Sequence, residues 1–292
     1  MNFDRSLEAP YGVEMRLSWR VSRLLAPNPG PFTFKGTGVH ILGVGARVIV
    51  IDPGPDLAGH IEALKQALGR RRVSHILITH THRDHSSAAA ALKESSGAKT
   101  YGVPLAARSE HASGEGMVDE AHDHDFVPDV LVHDGMRIAG DGFELECLAT
   151  PGHTANHICY ALREEHALFS GDHVMGWSTS VIAPPDGDIG AYLASLEKLK
   201  ARDDTILYPT HGSPIEHPQD WIGQLIAHRH TREDQIRAAL ARRAGSIAEL
   251  VEALYSGIEP GLRAAAAQQI LAHLRHMQSR GEVVPEGDLW RI

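Results

Sequence analysis

Four strong metal-ligand side chains fall within six consecutive positions of the stretch Thr79-His80-Thr81-His82-Arg83-Asp84-His85. Imidazole nitrogens and carboxylate oxygens are the donors that zinc and similar divalent ions take. Ahead of the stretch, Ser74-His75-Ile76-Leu77-Ile78-Thr79 is a short apolar, β-rich run; after it, Ser86-Ser87-Ala88-Ala89-Ala90-Ala91-Leu92-Lys93 reads as a helix. The ligands therefore sit on a strand-to-helix loop. In an extended loop His80 and His82 point the same way and can share one ion, while Asp84 and His85, at the helix entrance, can turn toward a second. A solvated polar loop explains one or two histidines, but explains poorly a His-x-His-x-Asp-His run that opens a helix after a buried strand.

The rest of the chain repeats the device. Ala46–Ile51 is an apolar strand that ends on Asp52; as a bland reading Asp52 is a turn residue, and as a functional one it is a carboxylate fixing a ligand imidazole. Phe143–Ala149 alternates like a strand and delivers Thr150-Pro151-Gly152-His153-Thr154. His157–Leu162 and Ala167–Ser170 read as a hairpin, after which Gly171-Asp172-His173 places a carboxylate at a strand end. Ile206-Leu207-Tyr208 then leads into Pro209-Thr210-His211-Gly212. Each of these histidines alone is an ordinary hydrogen-bonded loop residue. Together they supply the further ligands that two metals require.

The elements that must carry these loops are a β-rich opening and a helical tail. Val13–Val21 alternates as one half-buried strand, Ala26–Pro31 is turn-forming, and Val39–Leu42 with Ala46–Ile51 flank Gly43-Val44-Gly45 as a hairpin. Gly59–Arg71 carries Ile61, Leu64 and Leu68 at helical spacing, and Lys99–Val103 is a further strand. A polar excursion to about Val130 contains His122-Asp123-His124-Asp125, read as a solvated acidic loop. Beyond about Trp221 the strands stop. Helices are expected over Leu225–Arg243, Ser246–Leu254 and Gly261–Ser279, followed by a short hairpin from Val283 to Ile292. Helix, helix, helix, wing is the pattern of a winged helix, so the expected domains are 1–221 and 222–292.

The bulk properties limit the function. At 292 residues, with 42% hydrophobic and 22% charged positions, the chain can bury a large core. Twenty histidines are an excess that favours metal chemistry. The net charge of −9 lies ahead of the tail: residues 228–292 hold 9 Arg, no Lys and 8 acidic residues, which leaves 19 basic against 29 acidic before them. That balance argues against grip on a phosphate backbone, which needs a basic surface, so nucleic acid is not the favoured partner and the tail is expected to pack or to form a homodimer. Cys147 and Cys159 are too few for a disulfide framework, there is no signal-peptide pattern, and no apolar run approaches a membrane span. A cytoplasmic setting and a small-molecule substrate are the expectation.

With His80-x-His82-x-Asp84-His85, Thr150-Pro151-Gly152-His153-Thr154, Gly171-Asp172 and Pro209-Thr210-His211-Gly212 in this order, the chain resembles the metallo-β-lactamase superfamily. Asn28-Pro29-Gly30-Pro31-Phe32-Thr33, Phe169–Met175 and the winged-helix-like tail are more closely similar to the β-lactamase-like protein 2 group of hydrolases. The resemblance implies an α/β (α+β) αββα sandwich with a small C-terminal winged-helix-like domain. It implies a first metal on His80, His82 and His153, a second on Asp84, His85 and His211, with Asp172 bridging both and His157 beside the site. Thr210 stands where the family usually has Gly, and His40 where a tyrosine-type residue is common; both departures bear on pocket shape and not on the ligand set.

Seven N/O ligands without a thiolate suit two Zn2+, and manganese or iron also fit. Two ions about 3.5–4 Å apart lower the pKa of a bridging water from about 15.7 toward about 7, so a bridging hydroxide is the expected nucleophile. Asp84 is expected to orient it, and with His157 makes the catalytic pair. The leading substrate class is a small carbonyl compound: a thioester, lactone, ester or β-lactam. A phosphodiesterase or endoribonuclease using the same metals is the alternative, and a non-catalytic metal-binding protein a third.

Overall fold

The structure is a computed structural model that describes residues 1–105 and 121–292. Contacts divide these into two units: Met1–Thr150, Asn156–Thr179 and Asp203–Pro218 form the first, while Pro151–Ala155, Ser180–Arg202 and Gln219–Ile292 form the second. The second unit thus takes two short pieces of chain from within the first, so the division is not a single cut.

The first unit holds two sheets. One runs in chain order through β1 (Glu14–Arg16), β2 (Val21–Leu25), β3 (Gly38–Leu42), β4 (Arg47–Ile51), β5 (Arg72–Leu77), β6 (Lys99–Gly102) and β7 (Val130–Leu131). The single strand expected over Val13–Val21 is in fact a hairpin arm, a turn and the start of the next strand: Glu14 pairs with Leu24, and the Leu17 and Ser18 amides both turn back to the Val21 carbonyl. Alternation alone does not see a turn that leaves the period unbroken. The expected hairpin about Gly43-Val44-Gly45 is β3 against β4. From β4 onward the pairing is parallel, with the helix Ala58–Leu68 crossing from β4 to β5 and the helices Arg83–Ser86 and Ala89–Ser96 from β5 toward β6. The second sheet has the order β13-β12-β11-β10-β9-β8, made of β8 (Arg137–Ala139), β9 (Glu144–Ala149), β10 (Ile158–Leu162), β11 (Ala167–Gly171), β12 (Ile206–Pro209) and β13 (Ile215–Glu216). Only β11 and β12 are parallel in it.

The core follows from the two-residue period of a strand. Ile49 and Ile51 of β4 face inward with Leu42 and Leu77 to meet Leu145, Cys147, Ile158, Tyr160 and Phe169 of the second sheet. Val48 and Val50 point the other way, with Val39, Ile41 and Ile76, onto Leu64, Leu68 and Leu92 of the crossover helices. Burial on both faces is why β4 reads as an unbroken apolar run. Each such side chain contributes about 1.5–3 kcal/mol relative to exposure. Helix, sheet, sheet are therefore successive layers of this unit.

The second unit is mainly helical. Asp188 caps the helix Ile189–Lys200 by accepting from the Ala191 amide at 2.6 Å, and Ser246 with Glu249 forms a capping box on the helix Ile247–Leu254. The long helix begins at Pro218, seven residues before the expected start, because proline in a first turn gives up no hydrogen bond, and it runs to Leu240. With the helix Arg263–Ser279 and a sheet of order β14 (Gly245–Ser246), β16 (Leu289–Arg291) and β15 (Val284–Glu286), the long helix and the helix Ile247–Leu254 close over Ile236, Leu250, Ile270, Leu274, Met277 and Trp290. Among the described residues no helix is long and apolar enough to cross a membrane.

Candidate metal centre

Parallel pairing gathers the site. Because β4 runs beside β5, its terminal Asp52 emerges next to the loop Thr79–His85, and because β11 runs beside β12, Asp172 emerges next to Thr210 and His211. Asp52 sits in the left-handed region at φ 49°, a conformation Asp tolerates better than most residues, and its carboxylate is fully buried. Gly171 has φ 52°, and a Cβ there would lie 2.5 Å from His157 Nε2 and 3.0 Å from Thr79 Cβ, so glycine is what lets β11 pass behind the ligand loop.

Asp52 meets donors on both oxygens. Oδ1 accepts from the Thr79 amide at 2.8 Å; Oδ2 accepts from Thr79 Oγ1 at 2.7 Å, Thr210 Oγ1 at 3.0 Å and His85 Nδ1 at 2.9 Å. Asp52 is therefore more than a turn residue: its carboxylate holds the His85 imidazole in place. These bonds also settle tautomers. The Thr79 hydroxyl has one proton and gives it to Asp52, so at 3.1 Å it accepts from His80 Nδ1. His211 Nδ1 donates to the Gly36 carbonyl at 3.0 Å. In the second unit, His153 Nδ1 donates to the Val181 carbonyl at 2.6 Å. For His80, His85, His153 and His211 alike, Nδ1 donates to an oxygen, so Nε2 is the nitrogen each ring presents to a metal.

The donor spacing is that of ligands around an ion. Donors each about 2.0–2.1 Å from one tetrahedral ion stand about 3.3–3.4 Å from one another. His85 Nε2 is 3.4 Å from Asp84 Oδ2 and 3.5 Å from Asp172 Oδ2; His211 Nε2 is 3.1 Å from Asp84 Oδ2 and 3.5 Å from Asp172 Oδ1. His85 Nε2 is buried and makes no hydrogen bond. On the other side His80 Nε2 and His82 Nδ1 face each other at 2.8 Å, and Asp172 brings an oxygen within 4.8 Å of both. These residues fit a pair of divalent ions.

The charges are mutually compensated. Burial pushes the Asp84 and Asp172 carboxyls up, but the His85 and His211 rings outweigh it and hold both below the usual carboxylate range. Burial pushes His211 down, yet Asp172 and Asp84 outweigh it and raise the ring to about 10. His85 is raised well above its ordinary value in the same way, by Asp84, Asp172 and Asp52 against burial.

His157 is buried beside His80, with ring centroids 5.2 Å apart and its Nδ1 2.9 Å from Thr150 Oγ1. His40, one of the two departures noted in the sequence, lies in the core against Phe169 and Tyr208; burial first, then Arg23, pushes it down to about 3, so it is neutral at pH 7. The other departure, Thr210, turns its hydroxyl on Asp52.

The reading of His122–Asp125 as a solvated loop holds for His124 and Asp125, which are exposed, and is corrected for His122 and in part for Asp123. His122 is only 4% exposed, its backbone bridges to His82, and its ring centroid is 4.7 Å from that of His82. Asp123 Oδ2 accepts from Ser86 Oγ at 2.8 Å, and Phe126 is buried. A polar sequence looked solvated because its partners lie some forty positions earlier. Sequence reasoning also missed Thr37, whose hydroxyl donates to Asp84 Oδ2 at 3.2 Å, and the Gly36 carbonyl that orients His211. A threonine or a backbone oxygen carries no local signal of such a role.

Two packed sheets with a histidine and aspartate cluster at their strand ends define a hydrolase built around a divalent-metal site. Residues 38–211 match the model of the metallo-beta-lactamase superfamily, and the chain belongs to that superfamily; residues 246–290 match the beta-lactamase associated winged helix domain. The chain is 38% identical over 224 residues to a beta-lactamase-like protein 2 homolog of Caenorhabditis elegans, covering 76% of this chain and 71% of that protein. It is 34% identical over 229 residues to an atrochrysone carboxyl ACP thioesterase of Paecilomyces divaricatus, covering 78% of this chain and 66% of that one, just under two thirds of its length. In fold it is similar to a beta-lactamase domain protein from Burkholderia ambifaria, with a TM-score of 0.82 at 21% identity over 99% of this chain and 96% of that one.

Proposed function

We propose that the chain is a dinuclear, zinc-dependent hydrolase of small carbonyl compounds, with acyl thioesters the foremost class. The observation that carries the reading is a shared orientation: His80, His85, His153 and His211 each have Nδ1 tied to an oxygen, so Nε2 is the nitrogen each presents to a metal. In this reading His80, His82 and His153 would hold the first ion and Asp84, His85 and His211 the second, with Asp172 available to both. Zinc suits an N/O donor set without thiolate, as manganese and iron also do. Two such ions supply Lewis acidity and lower the pKa of water toward neutrality.

The remaining work falls to the chain's own groups. Asp84 is held ionised by His85 and His211, so it acts as an acceptor that orients water, while Thr37 fixes its Oδ2. His157, buried against His80 and tied to Thr150, serves as a positioning residue and not as a group that touches substrate. Two further relatives, at 33% and 31% identity, are also named atrochrysone carboxyl ACP thioesterases, which supports a thioester over the other carbonyl compounds.

The test is a panel of an acyl thioester, a lactone, a β-lactam and an oligoribonucleotide, run on chain loaded separately with zinc, manganese or iron. Thioester hydrolysis above the others is expected. Cleavage of the oligoribonucleotide with no carbonyl substrate turned over would replace this reading with the phosphodiesterase one.

A further inference from the structure

The loop that ends at Thr37 serves the metal ligands on one side and something else on the other. Thr37 donates to Asp84 and the Gly36 carbonyl receives His211. The next residue back, Lys35, lines a groove of about 450 Å3 whose other walls are Leu7, Glu8, Ala9, Pro10 and Tyr11. Consecutive Cα atoms are about 3.8 Å apart, so this groove begins within two residues of the metal ligands' supports.

Lys35 is exposed and makes no ion pair among the described residues; its Nζ lies 5.7 Å from the centre of the Phe34 ring. Phe34 has φ 57°, a conformation a bulky residue rarely adopts, and its carbonyl and amide are both bonded to Gly30. Its ring stacks on Trp177 at 4.9 Å and 11°, and Trp177 in turn packs on Gly212, the residue after His211. Gly36 permits the turn: at φ 130° a Cβ would lie 2.1 Å from the Ala26 carbonyl oxygen. A cation on a strained aromatic platform is thus anchored to both sides of the second metal triad and turned into an apolar groove. Glu8 is the one acidic side chain in that lining.

We propose that Lys35 is the specificity-determining residue of the hydrolase, recognising an anionic group of the substrate outside the scissile bond, with the Leu7–Tyr11 groove receiving the chain that carries it. This rests on the thioester reading above. The anion is either a carboxylate on the acyl part or the phosphate of a pantetheine-type thiol arm; both present the same charge to Lys35.

The experiment compares three thioesters on the zinc-loaded chain: butanoyl-N-acetylcysteamine, butanoyl-4′-phosphopantetheine and glutaryl-N-acetylcysteamine. The readout is the ratio of kcat/KM for each anionic ester to that for the neutral one. Lys35→Ala should lower one ratio about fivefold, as loss of a partly exposed ion pair does, Lys35→Glu should lower it further, and Lys35→Arg should restore it. The difference should shrink at high salt. Whichever anionic ester responds identifies the source of the anion. Ratios that stay the same in all three variants, or an equal loss on the neutral ester, would overturn the proposal. If the wild-type chain hydrolyses no thioester, calorimetric titration of the zinc-loaded chain with 4′-phosphopantetheine and with glutarate still decides it: weaker binding in Lys35→Glu upholds the anion site although the thioester reading has failed, and unchanged binding removes the anion site too.

Discussion

Asp52→Asn is the sharpest perturbation the site offers, because it changes one atom and almost no volume. The carboxylate meets only donors: the Thr79 amide on Oδ1, and the Thr79 hydroxyl, the Thr210 hydroxyl and His85 Nδ1 on Oδ2. An asparagine has one acceptor and one NH2 group, so in one orientation its NH2 faces the Thr79 amide at 2.8 Å, and in the other it faces the three donors. Either way a buried donor loses its partner, which costs about 1–3 kcal/mol, and His85 Nδ1 loses an ionised acceptor, keeping only a weaker neutral bond in the first orientation and none in the second. Hydroxyl rotation recovers part of this, so a net loss of about 2–4 kcal/mol in stability is expected. Replacing the carboxylate behind the His85 imidazole should also weaken metal binding about 10- to 100-fold. The loss should fall first on the second ion, since His85 belongs to that triad, while His80 keeps its bond to Thr79. Competition of the protein with a chromophoric chelator would resolve the two affinities, and urea unfolding the stability. A variant that binds both ions as tightly as the wild type, or that weakens only the first, would refute the argument.

Four further outcomes are expected. Elemental analysis of carefully loaded protein should approach two ions per chain, and Asp172→Ala should lower metal content and hydrolysis together; full occupancy with full activity in that variant would contradict the bridging role. His211 is raised to about 10 from its ordinary 6.5, so in metal-free protein its ring is protonated at pH 7.5, and His85 is shifted in the same direction. A metal takes the neutral imidazole, so loading at that pH should release at least the His211 proton, measurable by calorimetry in buffers of different ionisation enthalpy, with affinity rising as pH rises. In the metal-free chain the stabilisation from these raised pKa values is complete below pH 6.5 and lost as pH rises through about 10. Gly171→Ala should destabilise the fold by about 2 kcal/mol, because the new methyl group meets His157 and Thr79 in a left-handed conformation; an unchanged unfolding midpoint would show that the strands part easily. For the winged helix, whose segment from residue 228 carries 9 Arg against 8 acidic residues, titration of the full chain with duplex DNA should show no tight, salt-sensitive binding.

The inventory was legible in the letters alone: which side chains could ligate, that each stands where a strand runs out, and that a helical tail with a short wing follows. Those features are local. A two-residue or 3.6-residue period, a proline or glycine at a turn, and His-x-His-x-Asp-His are all written within a few neighbouring positions. How the inventory is used depends on packing. His211 is oriented by the carbonyl of Gly36, 175 positions away, and every residue except its neighbours has a carbonyl to offer, so nothing in the letters marks that one. Asp52 could be read as a turn residue until the parallel pairing of β4 with β5 put His85 against it. His122 looked solvated until its backbone was seen bridged to His82, and Lys35 was one exposed lysine among others until Phe34 and Trp177 held it over a groove. Hydrogen bonds and ring contacts between distant segments depend on which strand lies beside which, and that is fixed by the packing of the whole core.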